Sequence, residues 1–186
     1  MEATTKVVTG KVRFCYLSVF EPKPSEDGKE KYQACILIPK DDKDTLNKIN
    51  KAIEAAKAAG KSQLADKNGR IPSTVKTPLR DGDEDHPDDP AFEGMMFMNV
   101  SSLRRPTIVD RNLNEIIEKE EFYSGCWGRA SVNFFAYNSN GNKGIGAGLN
   151  NLQKLKDDEN LMGVSSAKDD FGGENAYEDG DDDDMM

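Results

Sequence analysis

GCWGRASVNFFAY, Gly125 to Tyr137, alternates apolar and polar positions as a half-buried β-strand does. Cys126, Ala130, Val132, Phe134 and Ala136 fall on one face; Trp127, Arg129, Ser131, Asn133, Phe135 and Tyr137 fall on the other. NSNGNKG follows as a hairpin turn, with Asn140-Gly141 able to take positive φ. Lys143 to Leu149 (KGIGAGL) returns as the partner strand, and Leu152 and Leu155 continue its packing. Glycines at 144, 146 and 148 inside that strand predict close backbone approach or curvature.

Further strand signals lie upstream. Lys11 to Phe20 (KVRFCYLSVF) puts Val12, Phe14, Tyr16 and Phe20 on one face and Cys15, Leu17 and Val19 on the other. Lys31 to Pro39 (KYQACILIP), Met95 to Val100 (MMFMNV) and Thr107 to Val109 are the others, separated by breakers such as Pro22, Pro24 and Gly28. One stretch reads as helix, Asp41 to Ala59. Asp41 or Asp42 caps it, Leu46, Ile49, Ile53 and Ala56 keep helical spacing, and Gly60 ends it. Residues 62–94 carry little periodicity and many Asp, Gly and Pro, as a functional or mobile excursion does. Five or six strands, one main helix and long loops predict a mainly β fold, an OB-fold-like five-stranded Greek-key barrel.

Charge divides the chain in two. The 186 residues carry a formal net charge of −9, which argues against a nucleic-acid binder until its distribution is considered. Asp157 to Met186 holds 12 Asp/Glu and one Lys, leaving the rest of the chain 24 Lys/Arg against 22 Asp/Glu. Seven of those 22 acids sit between Asp81 and Glu93, where there is no Lys or Arg. The body outside that loop is therefore basic. Residues 1–156 are expected to form one domain and 157–186 a disordered acidic tail. Cys15, Cys35 and Cys126 show neither a disulfide framework nor a zinc spacing. No signal-peptide h-region or membrane-length apolar run is present, so a soluble, cytoplasmic protein is expected.

Catalysis finds little support. His86, the only histidine, lies in the acidic loop with no Cys or Ser partner at a recognisable spacing. Asp81, Asp83, Glu84, Asp85, Asp88 and Asp89 do not match an EF-hand loop. Lys143 to Gly148 lacks the helix and Lys-Ser/Thr of a phosphate loop. The expectation is a protein that is no enzyme and needs no cofactor or metal.

Binding of single-stranded nucleic acid needs cations along a phosphate path and aromatic faces on which bases stack. The candidate phosphate contacts are Lys11, Arg13, Lys76, Arg80, Arg104, Arg105, Arg111, Arg129 and Lys143. The candidate stacking residues are Phe14, Tyr16, Phe20, Trp127, Phe135 and Tyr137. The tail closes in Asp181, Asp182, Asp183 and Asp184 followed by Met185-Met186, a run that can mimic phosphates and compete for a basic groove, with an apolar end suited to a partner's pocket.

Four stretches together resemble the single-stranded DNA-binding protein family of tailed bacteriophages. They are KYQACILIPKDD, TPLRDGDEDHPDDPAFEG, EFYSGCWGRASVNFFAYNSNGNKGIGAGLNNLQKLKD and SSAKDDF. The resemblance runs from about Lys11 to Phe171, and YSGCWGRASVNFFAYN with GNKGIGAGLNN is its most specific part. It implies an OB-fold, binding of single-stranded DNA without strong sequence preference, and a role in phage replication or recombination in the host cytoplasm. The tail is similar in kind to those of other single-strand binders but ends in Met-Met where an aromatic tip is usual. Phage or host replication proteins are its expected partners, membranes are not, and a homodimer is one oligomeric state left open. The resemblance makes the acidic loop part of the family pattern; repelling duplex or ordering a neighbouring loop is its expected role. The alternative is a protein-interaction module working through the acidic segments.

Overall fold

The computed structural model describes residues 4–25, 28–139 and 141–161. Their strands are β1 (Lys6–Val8), β2 (Val12–Pro24), β3 (Glu30–Pro39), β4 (Arg80–Asp81), β5 (Met95–Ser102), β6 (Thr107–Val109), β7 (Trp127–Ser139) and β8 (Asn142–Lys156). The helices are α1 (Lys43–Ala59), α2 (Lys61–Leu64) and α3 (Gly82–Asp85), with a 3-10 turn at Pro90–Phe92.

The hairpin read first from the sequence is the backbone of the fold. β7 pairs antiparallel with β8 from Trp127↔Lys156 to Ser139↔Asn142. The other edge of β7 takes β2 at Val12↔Gly128 and β1 at Val7↔Val132. β2 then pairs with β3, β3 with β5, and β5 runs parallel to β8 at Ser101↔Gly148. The path β7-β2-β3-β5-β8 returns to β7, so five strands close into a ring. Numbered along the chain, the five barrel strands close in the order 1-2-3-5-4, the expected OB-fold-like barrel. β1 and β4 stand outside the strands expected from the sequence, being too short to give a periodic signal.

The inward residues fill the barrel as the alternation predicts. Val12, Phe14, Val19, Ile36, Ile38, Met98, Val100, Ala130, Val132, Phe134 and Leu152 are buried in one core. α1 closes one side of it with Ile49, Ala52, Ile53 and Ala56. Asp42 caps that helix, accepting from the Thr45 amide at 3.2 Å. A second apolar cluster, Cys15, Cys35, Leu37, Phe92 and Phe97, lies apart from the first.

That second cluster gives the acidic loop a structural account. The loop folds as β4, α3 and the 3-10 turn, and inserts Phe92, 1% exposed, between Leu37 and Phe97. His86 packs on Phe92, tilted, and edge-on against Phe97, with centroids 4.3 and 5.1 Å apart. Lys40 holds the loop at its base, 2.8 Å from Asp81 Oδ1 and 2.6 Å from Asp83 Oδ2. These contacts hold both carboxyls below the ordinary range and the Lys40 ammonium above its own.

The face assignment for Lys11 to Phe20 needs correction. Tyr16 takes φ +49°, and the β2–β3 register slips between Cys15 and Ser18. Such a bulge re-aims a side chain. Phe14 therefore points into the core, fully buried and 5.1 Å from Phe122, whereas Tyr16 turns out and is 53% exposed.

Candidate functional site

Two adjoining cavities, of 620 and 510 Å³, form a groove across the outer face of the barrel. Lys31, Asn99, Ser101 and Tyr137 line both. The bulge in β2 brings Tyr16 to one end; Phe135, Lys76 and Arg80 stand at the other. The groove thus crosses the middle strands of the barrel, flanked by the β2–β3 turn at Ser25 and the β7–β8 turn at Ser139. On an OB-fold this face and these two loops form the oligonucleotide-binding surface.

The glycines of β8 shape the floor. Phe135 is paired with Gly146 and Tyr137 with Gly144. A Cβ at Gly144 would stand 2.5 Å from the Tyr137 hydroxyl, and one at Gly146 would stand 2.6 Å from Phe135 Cζ. The rings lie across the bare backbone of the neighbouring strand, which is the close approach expected of KGIGAGL. Phe135 stays 46% exposed. The long excursion reaches the same place: the Lys76 amide donates to the Lys143 carbonyl at 3.2 Å, and the Ile145 amide donates to the Lys76 carbonyl at 2.8 Å. This clamp carries the Lys76 side chain to the groove.

Partial burial and then the nearby Asp89 carboxylate raise the Tyr16 phenol above its ordinary value. At the other end of the groove Arg80 Nη1 stands 3.8 Å from Asp85 Oδ2 of the acidic loop.

The remaining residues singled out from the sequence fall elsewhere. Phe14, buried in the core, offers no ring face, so its expected stacking role is replaced by a packing one. Lys143 points back to donate to the Ala65 carbonyl at 3.1 Å. Arg104 and Arg105 sit beyond β5, with the Arg105 guanidinium 5.8 Å from the Phe20 ring centroid. Arg111 is exposed in the turn after β6, away from the groove lining. Arg129 is exposed, and its Nε donates to the Thr9 carbonyl at 3.0 Å. Lys11, Arg13 and Trp127 form a separate cluster at the start of β7. Asp181 to Asp184, Met185 and Met186 lie outside the described residues.

Lys31, Gln33, Asn99 and Ser101 are groove residues that stand outside the candidates drawn from the sequence. Their only signal was position: each is the polar member of an alternating pair on β3 or β5. Among the described residues, no group of three or more His, Cys, Asp or Glu is arranged to hold a metal ion. No helix among them is long and apolar enough to cross a membrane.

Planar rings can stack on Tyr16, Phe135 and Tyr137, and anions can bind at Lys76 and Arg80. A family model described as Enterobacter phage Enc34, ssDNA-binding protein, matches residues 5–186. Protein p50 of Acyrthosiphon pisum secondary endosymbiont phage 1 is 31% identical over 163 residues, covering 85% of this chain and 87% of that one. The solved single-stranded DNA-binding protein from bacteriophage Enc34 in complex with ssDNA matches with a TM-score of 0.70 and 28% identity, over 84% of this chain and 89% of that one. Gp2.5, a single-stranded DNA binding protein encoded by bacteriophage T7, matches with a TM-score of 0.59 over 88% of this chain and 98% of that one. At 14% identity, the last likeness is one of fold.

Proposed function

Because the chain belongs to the family of the Enterobacter phage Enc34 ssDNA-binding protein, we propose that it binds single-stranded DNA without catalysis and without sequence preference in phage DNA replication and recombination. The observation that carries this reading is the pair of rings, Phe135 and Tyr137, laid across Gly146 and Gly144 in a groove that Lys76 and Arg80 also line. Bases stack on Tyr16, Phe135 and Tyr137, and phosphates pass Lys31, Lys76 and Arg80. Each stack contributes about 1–3 kcal/mol and accepts any base, because every base has a π-face. Asn99, Ser101 and Gln33 supply hydrogen bonds to whichever edge or phosphate passes them.

The acidic C-terminal tail, in this reading, competes with DNA for the groove and presents its Met-Met end to phage or host replication proteins in the host cytoplasm. Its carboxylates mimic phosphates, so they compete best at low salt, where the attraction is least screened.

The test is fluorescence anisotropy of a labelled oligo-dT at two salt concentrations, with a duplex of equal length as control. Full-length protein is compared with a form ending at Leu161, which keeps the segment packed on the barrel. Tight binding to single strand, weak binding to duplex, falling affinity at higher salt and tighter binding by the shortened form are expected. Absence of salt-sensitive single-strand binding in both forms overturns the reading and leaves a protein-interaction module acting through the acidic segments.

A further inference from the structure

The residues after β8 do not leave the barrel at once. Asp157 to Leu161 fold back over the start of β7. The Tyr123 hydroxyl meets Asp157 Oδ1 and the Asp158 carbonyl, both at 2.9 Å. Arg13 donates to the Glu159 carbonyl at 3.1 Å, and the Leu161 amide donates to the Ser124 carbonyl at 2.8 Å. Gly125 permits this approach, since a Cβ there would collide with the Glu159 carbonyl.

The strap lays its carboxylates on an aromatic and basic patch. Trp127 Nε1 donates to Asp158 Oδ2 at 2.8 Å, and an Arg13 guanidinium nitrogen stands 3.6 Å from the same oxygen. Lys154 Nζ lies 2.7 Å from Asp157. Lys11 Nζ sits 5.4 Å from the Trp127 ring centroid and Arg13 Cζ 5.8 Å from it. An indole beside Lys11 and Arg13, with Lys156 opposite it on β8, is the composition of a single-strand contact. The Asp158 carboxylate occupies the position that suits a phosphate oxygen, and the indole hydrogen bond, then the Glu159 amide, then the positive charge of Arg13 and Lys156 hold its pKa below the ordinary range.

We propose that Trp127, with Lys11 and the neighbouring lysines, is a second single-stranded DNA subsite covered by the chain's own Asp157–Glu159. This rests on the groove being a single-strand site. Trp127 and Phe135 occupy the same outward row of β7, eight residues apart, or about 26 Å at strand rise. A strand bound in the groove can extend along that row through Asn133, Ser131 and Arg129 once the acids yield. The strap is then a toll on binding beyond the first few nucleotides: short oligonucleotides use the groove alone, and longer ones must displace Asp158 from Trp127.

Trp127 is the only tryptophan in the chain, so its fluorescence reports on this subsite directly. Full-length wild type, Asp158→Ala and Asp157→Ala/Asp158→Ala are titrated with labelled oligo-dT of two lengths, reading anisotropy and indole emission together. The backbone strap through Tyr123, Arg13 and Ser124 survives these substitutions, and equal thermal melts confirm the fold.

With the short oligonucleotide, wild type should show an anisotropy rise without quenching. With the long one, the alanine variants should quench in step with anisotropy at a lower DNA concentration than wild type. Their salt slope should steepen by about 0.7 for each additional phosphate neutralised. Adding Lys11→Ala to Asp158→Ala should reverse part of that gain. Anisotropy without quenching in the variants overturns the subsite, and identical quenching in wild type and variants overturns the covering. No anisotropy change in any protein sinks the groove reading, and this inference with it.

Discussion

Phe135 reaches over Gly146 of the neighbouring strand, so close that a Cβ on the glycine would stand 2.6 Å from Phe135 Cζ and 2.8 Å from Cε2. The ring is held by what its partner lacks. Gly146→Ala should push the exposed ring off the strand, because the nearest atoms are the far end of a rotatable side chain. The barrel should keep its fold. Melting temperature should change by a few degrees at most, while single-strand affinity falls. An affinity equal to wild type at unchanged stability would show that Phe135 does not need this placement.

Phe135→Ala and Tyr137→Ala should each weaken oligo-dT binding by roughly 5- to 150-fold, since one stacked base is worth about 1–3 kcal/mol. Neither should alter the slope of log affinity against log salt, since no cation is removed. Lys76→Ala and Arg80→Ala should do the reverse, flattening that slope by about 0.7 for each phosphate no longer neutralised. Anisotropy titrations at four salt concentrations separate the two signatures. A flattened slope in Phe135→Ala would count against the stacking assignment.

Phe14 and Phe135 look alike in the sequence, each an aromatic beside basic residues, yet they belong to different classes. Phe14 is wholly buried against Phe122, whereas Phe135 is half exposed. Phe14→Ala should cost about 3–5 kcal/mol of stability, as large core truncations do. Any loss of DNA binding should follow the unfolded fraction and recover on cooling. Denaturant unfolding with binding measured below the transition tests this. A stable Phe14→Ala protein with lost affinity would restore the stacking role.

The difference between those two phenylalanines marks what the sequence could convey. Alternation along Gly125 to Tyr137 and the glycines of KGIGAGL carried the β7–β8 hairpin, because a period of two is imposed locally by the pleat. The helix from Lys43 to Ala59 was legible through its cap and its 3.6 period. The bulge at Tyr16 was not: one residue of positive φ reverses the faces of everything after it, and Tyr is not a residue that announces such a turn. Lys76 is a candidate by its charge alone, and the bridge to β8 that carries it to the groove has no signal in the spacing. Lys143, a phosphate candidate by composition, is redirected for the same kind of reason, its ammonium being used to hold the Ala65 carbonyl.

Lys40 ties down the acidic loop through Asp81 and Asp83, and that clamp should be sensitive to acid. Both carboxyls titrate below the ordinary range, chiefly because Lys40 hydrogen-bonds their ionised forms. A depressed folded-state pKa contributes stability above the unfolded value, about 3.9, and that stability is lost as pH falls through the lower folded value. The raised Lys40 value adds no change in this window, since its ammonium stays charged throughout. Neutral solutions should therefore keep the loop closed, and opening should begin below about pH 4. The amide of Gly94, which donates to Asp83 Oδ1 at 3.1 Å, is the reporter. Its exchange rate should rise, relative to the intrinsic rate, as pH drops, and Lys40→Met should show the faster exchange already at pH 7. Because the Asp89 charge is felt at Tyr16, which lines the groove, the opened loop should also relax the barrier to duplex. Lys40→Met should then bind duplex more tightly than wild type at pH 7, with single-strand affinity nearly unchanged. Equal duplex affinity alongside faster Gly94 exchange would leave the loop as a cover for Phe97 and Leu37 and nothing more.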